Sequence, residues 1–301
     1  MPFSTPFATE GLIVLGQILI SGITAGAVYA LVALGFVVLH RGTRVVHFGL
    51  GDQMTMSAYV VVIAQVFLGA PFAIAVLLSL GVSAAFGVAI ERGVMRPLRR
   101  APLLVMVIAT LAIGGALREG LRASMGPLPW PVPFLLSPAP FTMGDLMLVP
   151  ANLAVVGVAL AVMSGLFVIL RFTRFGRAIV AVYENPTGAA IVGISVPGVH
   201  ARLWGLASVL AAVAGILVAP LITLSPDMGT IGIKGFAAAI LGGFNSLPGA
   251  VAGGILLGIA ETAAGVYVST AMKDIISYAL LILCVLLLPR GLFGKAESRK
   301  V

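Results

Sequence analysis

Long apolar stretches separated by short polar segments set the rhythm of the chain: 11–39, 48–68, 71–90, 101–117, 147–170, 203–224, 236–267 and 275–288. A hydrocarbon core about 30 Å thick is crossed by ~20 mainly apolar helical residues, whereas barrel strands are ~10-residue segments of alternating polarity. These stretches are too long and too uniformly apolar for strands. Helices satisfy their own backbone groups where lipid offers no partner. The pattern predicts an all-α fold, a polytopic bundle of transmembrane helices forming a single domain over 1–301. The first stretch lacks the charged start and small-residue cleavage site of a signal peptide and reads as a retained span.

The stretch 236–267 is too long for one simple span. Asn245, Ser246, Leu247, Pro248 and Gly249 interrupt it near its middle, as a Pro-Gly pair should. It reads as a broken hairpin, and two half-helices of a re-entrant hairpin or two thin spans satisfy the pattern equally. The count is seven spans plus the broken pair, or nine spans.

Basic residues gather on alternate connections: Arg41 and Arg44, then Arg92, Arg96, Arg99 and Arg100, then Arg171, Arg174, Arg177 and Arg202, and finally Arg290, Lys295, Arg299 and Lys300 in the tail. Only Arg118, Arg122, Lys234 and Lys273 of the 18 Lys and Arg fall elsewhere, in what read as loops of the opposite side. The positive-inside rule makes the basic side cytoplasmic, with the N-terminus outside and the C-terminus inside.

Composition agrees. The chain is 60% hydrophobic and 9% charged, with a mean hydropathy of +1.16, against about 25% charged residues in soluble domains. So few charges cannot clothe a soluble fold. This excludes a soluble enzyme, a nucleic-acid-binding domain and a disordered chain, and makes the net charge of +8 a topology signal with no nucleic-acid partner. The single cysteine, Cys284, excludes a disulfide framework and a multi-cysteine metal site. There is no phosphate-binding Gly-x-x-x-x-Gly-Lys motif and no HExxH, and His40, His47 and His200 are scattered. Nothing calls for a metal or cofactor, and enzyme is the weakest class.

Three features could carry function. In the broken hairpin, Gly249 with Gly253 and Gly254 with Gly258 have the small-residue spacing that lets helices approach closely. Tight packing alone and a translocation path exposing Asn245 and Ser246 are both open. Asp52 and Glu261 are the ionisable residues inside apolar stretches, where a pathway role is the default hypothesis. Asp52, followed by Gln53, fits a helix start near the cytoplasmic interface, and Glu261 fits either burial or the outer surface. The connection 171–202 contains Glu184, Asn185 and Pro186, a helix-start signature, followed by Ala189 and a closing Gly193. Such a short helix either lies on the membrane or docks into a groove of a soluble partner.

At this connection and at the broken hairpin the chain resembles the inner-membrane permease subunits of bacterial branched-chain amino acid ABC transporters. The likeness runs from about residue 16 to 294 and is most specific over 95–114, 175–194 and 234–261. It rests on Gly176-Arg177-Ala178, Glu184-Asn185-Pro186 and Gly193-Ile194, and on Lys234-Gly235-Phe236, Gly242-Gly243 and Pro248-Gly249-Ala250. The resemblance implies that 171–202 is the coupling loop that contacts the ATPase. It further implies a second permease chain (a paralogue or a copy of itself), two cytoplasmic ATPases and a periplasmic binding protein. The implied cargo is amino acids, branched-chain ones first, or related small polar solutes. Thr187, Gly188 and Ala190 depart from the family's Glu, Ala and Arg, and His47-Phe48-Gly49 departs from its Asn-Phe-Ala. The competing class is an ion-coupled secondary transporter. It should show an inverted repeat and a coupling carboxylate; no repeat is convincing, and only Glu261 could serve.

Overall fold

The computed structural model describes residues 6–132, 141–143, 146–288 and 291–294; Arg290, Lys295, Arg299 and Lys300 of the basic tail lie outside them. Helix α1 spans Pro6–Thr43, α2 Leu50–Val66, and α3 Phe72–Ile90, which continues as a π-turn to Met95. Next come α4 (Leu103–Met125) and α5 (Pro150–Phe172), separated by a two-stranded ribbon, Phe141–Met143 against Leu146–Leu148. The connection holds α6 (Arg174–Glu184) and α7 (Pro186–Ile191). The chain ends with α8 (Val196–Ile222), α9 (Ile231–Gly242), α10 (Leu247–Tyr267) and α11 (Lys273–Leu287). Among the described residues, six helices are long and apolar enough to cross a membrane. The all-α expectation holds: among the described residues nine helices form the bundle, six of them long enough to span, with α2, α9 and α11 shorter at 17, 12 and 15 residues.

Helix α1 is the hub. Residues from Ala27 to Leu39 are almost wholly buried, and α8, α9 and α10 pack around them. Lipid gives apolar residues no reason to prefer another helix, so close backbone approach must hold the contact. The two glycine pairs of α10 supply it on two faces. Side chains at Gly254 and Gly258 would collide with Ala30 and Gly26 of α1, and side chains at Gly249 and Gly253 with Gly242 and Ala238 of α9. By contrast, α3, α4 and α5 leave Leu77, Leu104 and Leu160 exposed on the outside of the bundle.

Two short segments enter the bundle without being α-helical. After α1, residues 44–49 turn back inward. Leu50 lies against Gly35, eight residues and roughly 12 Å up α1 from its end. After α8, residues 223–230 return from the opposite end, through Thr223 at φ +68° and a single turn, Pro226–Thr230. Gly229 there meets Asp52, and Asp52 is level with Gly114, midway along α4. The deep interruption of the chain is therefore 223–230. Asn245, Ser246 and Pro248 instead mark the turn between α9 and α10 at the basic end, where Phe244 packs on His40 (5.1 Å) and Leu292 and Phe293 bond to Leu241 and Gly242. The break expected in the middle of 236–267 sits there because α9, at 12 residues, begins at depth and reaches that face after only ~18 Å.

The basic segments meet at that same end. Arg44 stacks on Tyr183 (5.3 Å), and Arg99 contacts His200 (3.1 Å). Arg118 and Lys234, expected in loops, lie inside α4 and α9.

Candidate functional site

The N-termini of α2 and α9 come together where the two re-entrant segments end. Gly51 rests on Gly229 and Gly232, and Gly49 on Thr110 and Gly114, with no space for a Cβ at any of these contacts. Helix N-termini carry unsatisfied N–H groups and partial positive charge. A carboxylate belongs there, and Asp52 supplies one. Asp52 does not close its helix as a cap: Gly49 holds that position with no side-chain cap bond. Instead Oδ1 accepts from Arg118 Nε (2.9 Å) and lies 2.8 Å from Nη2, with the Asp52 side chain 8% exposed and that of Arg118 35%. The expected cap is thus an inter-helix ion pair. Arg118 can reach it because Thr110, Gly114 and Arg118 recur every fourth residue on one face of α4. That spacing was the available signal, masked because Arg118-Glu119 reads as the edge of a loop. Above the pair, Arg122 joins Asp227 (2.6 Å) and Glu119 (3.2 Å).

Gln53 is wholly buried. Its Nε2 donates to Ser208 Oγ of α8 (2.8 Å), and buried His47 lies beside the same amide. A serine ladder continues outward: Ser57 Oγ with Ser83 Oγ (2.7 Å), and Ser79 Oγ donating to the Ser57 carbonyl (2.6 Å). Asp52 and Gln53 are adjacent on α2 but face different helices, Asp52 toward Arg118 of α4 and Gln53 toward Ser208 of α8, and with the serines they make up the polar seam of α2.

Glu261 is separate from that seam and fully satisfied. Oε1 accepts from Lys234 Nζ (2.7 Å), and Oε2 from Tyr29 Oη (2.9 Å) and Ser277 Oγ (3.0 Å). Lys234 also reaches the exposed Asp274 (2.8 Å). This network ties α1, α9, α10 and α11 together. Of the two positions open to Glu261, the structure adopts burial. Asn245 and Ser246 are not near either cluster; Ser246 caps α10, its Oγ accepting from Gly249 N (3.0 Å).

At the basic end, the 171–202 connection is a helical elbow. Thr173 caps α6 by accepting from Gly176 N, and Gly176 sits against the Leu170 carbonyl where a side chain has no room. The sequence reading left α6 out, although Ile179 and Val182 face inward and Arg174 and Arg177 outward along it. Asn185 Oδ1 accepts from Gly188 N (2.8 Å) with Pro186 at the first helical position, and Gly193, at φ +84°, ends the turn. Glu184 is exposed and Ala189 is buried beneath α7, while Ile191 and Val192 stand out at 82% and 73% exposure. Ser195 then caps α8.

Comparison with known proteins places this architecture. The family model described as the branched-chain amino acid transport system / permease component matches residues 18–285. The high-affinity branched-chain amino acid permease protein LivH of Escherichia coli K12 is 31% identical over 95% of this chain and 97% of its own length. BraD of Pseudomonas aeruginosa is 31% identical with the same coverage. The autoinducer 2 import permease LsrC of Yersinia enterocolitica is 29% identical over 69% of this chain and 55% of its own length. Matched almost from end to end, the chain belongs to the branched-chain amino acid transport permease family.

Proposed function

We propose that the chain is the pore-forming permease subunit of a bacterial ABC importer, with no catalytic chemistry of its own. It works with a second permease chain, a paralogue or a copy of itself, two cytoplasmic ATPases and a periplasmic binding protein. The basic end faces the cytoplasm and the N-terminus the periplasm. The observation that carries this reading is α7: a capped single turn at the basic end that offers two apolar side chains, Ile191 and Val192, to a groove in a soluble partner.

The route from α7 to the seam is short. Helix α8 begins four residues beyond Val192; twelve residues and roughly 18 Å further along it, Ser208 holds Gln53. ATPase closure pushes α7, tilts α8 and shifts α2 against α9, a shear of packed helices between two states. The cargo is an amino acid, branched-chain ones first, as the names of LivH and BraD state for those proteins. Asp52 and Arg118 present one negative and one positive group, the complement of an α-ammonium and an α-carboxylate. A passing zwitterion exchanges partners with the pair without leaving either charge bare.

The test is leucine uptake into vesicles holding the chain with its ATPase and binding-protein partners. Ile191→Asp with Val192→Asp is expected to abolish uptake while the subunit still inserts and the ATPases retain basal turnover. Uptake by the isolated chain, abolished by a protonophore and indifferent to ATP depletion, would overturn the proposal.

A further inference from the structure

We infer that a groove at the basic end, between α1, α5 and α10, holds an anionic phospholipid: its phosphate between Arg41 and Arg171, an acyl chain along the apolar wall toward Leu34 and Val251. Two adjoining cavities make the groove. The first, about 200 Å³, is lined by Arg41 and Arg171 together with Val38, Leu170 and Leu247. The second, about 80 Å³, is lined by apolar residues alone and reaches Leu34, Met163 and Val251. Phe167 and Leu247 border both, so one runs into the other. Leu170 to Met163 is two turns of α5, roughly 10 Å from the charged mouth toward the interior of the bundle.

The chemistry of the walls selects the occupant. No carboxylate lines either cavity. Among the described residues neither arginine is ion-paired; Arg171 only lies over Phe167 (5.9 Å) and Phe172 (6.0 Å). Free guanidinium groups bind phosphate oxygens in a fork geometry that lysine cannot match. Basic pockets between membrane helices are recognised sites for anionic headgroups. An acidic side chain of a protein partner could meet the arginines but would leave the apolar limb empty, whereas a phospholipid fills both. Gly176 and Ile179 of α6 close the same cavity, so a lipid seated there touches the helix that carries α7. This inference does not depend on the cargo or on ATP.

Native mass spectrometry of the purified full chain tests it, with dioctanoyl phosphatidylglycerol, dioctanoyl phosphatidylcholine and glycerol 3-phosphate as probes. Phosphatidylglycerol is expected to bind at least ten-fold more tightly than either other probe. Arg41→Gln with Arg171→Gln should weaken it about twenty-five-fold, at about five-fold per basic group near a membrane surface. Met163→Trp should weaken it by filling the apolar limb, and Arg41→Lys with Arg171→Lys should fall between the parent chain and the Gln pair, because the charge is kept and the fork is lost. Unchanged affinity in the double Gln variant, or equal affinity for phosphatidylcholine, would overturn the site. Glycerol 3-phosphate binding as tightly as the lipid would assign the arginines to a soluble phosphate and overturn the lipid. If the Gln pair does not stay monodisperse, the salt dependence of the parent chain decides. Phosphatidylglycerol binding that is indifferent to added salt refutes charge recognition.

Discussion

Asp52 and Arg118 are one pair with two unequal halves. The aspartate side chain is 8% exposed, whereas the arginine, at 35%, keeps a route to water. Removing one member of a buried pair costs about 3–5 kcal/mol because the other is left bare, and the cost falls when the survivor can be hydrated. Arg118→Gln strands the buried carboxylate and is expected to destabilise the chain by about 3 kcal/mol. Asp52→Asn leaves an arginine that can turn outward, at a cost of only about 1 kcal/mol. Both should abolish leucine uptake. Thermal unfolding in detergent reads the asymmetry; a greater loss in Asp52→Asn would contradict the burial argument. Asp52 was legible in the sequence as a carboxylate in an apolar stretch. Its partner was not: hydropathy ends a span at the first charges it meets, whereas the helix continues to Met125.

Among the elements, α7 was legible nearly residue for residue, because Asn185, Pro186 and Gly193 each perform a local backbone task that does not depend on the rest of the fold. The re-entrant segments were not. Residues 44–49 and 223–230 look like ordinary loops, and only the contacts of Leu50 with Gly35 and of Gly229 with Asp52 reveal how deep they go. They enter from opposite ends, each leading into a helix that starts inside the bundle, an arrangement that hydropathy does not encode. Gly193 gives this scale its prediction. At φ +84° with nothing within 4 Å of an added Cβ, the position is strained for L-residues but not crowded. Asn tolerates this conformation, so Gly193→Asn should keep most uptake. Gly193→Trp places an indole beside Ile191 and Val192; it should insert normally, leave basal ATP hydrolysis intact and lose uptake. Normal transport by the Trp variant would remove α7 from the coupling role.

Across the whole molecule, scarcity of charge gives each buried ionic group a large share of the architecture. Glu261 was legible as an intramembrane carboxylate, but its partners come from three other helices. Lys234, read as a loop residue, sits in a helix that hydropathy placed two residues beyond it. Whether the Glu261 network is a joint or part of the route is decided by removing it in two ways. Lys234→Met alone leaves Glu261 with only the Tyr29 and Ser277 hydroxyls, at a cost of about 3–5 kcal/mol. Lys234→Met with Glu261→Leu removes both charges; Asp274, already exposed, returns to water. Apolar replacement of a whole buried pair is nearly neutral, so the double variant is expected to recover most of the melting temperature lost by the single one. If the network is only a joint that fixes α9 against α1, α10 and α11, uptake recovers along with stability. That is the expected outcome, because every polar atom of Glu261 is already engaged and none is left for a solute. A double variant with restored stability but absent uptake would instead place Glu261 on the route, beside Asp52 and Gln53.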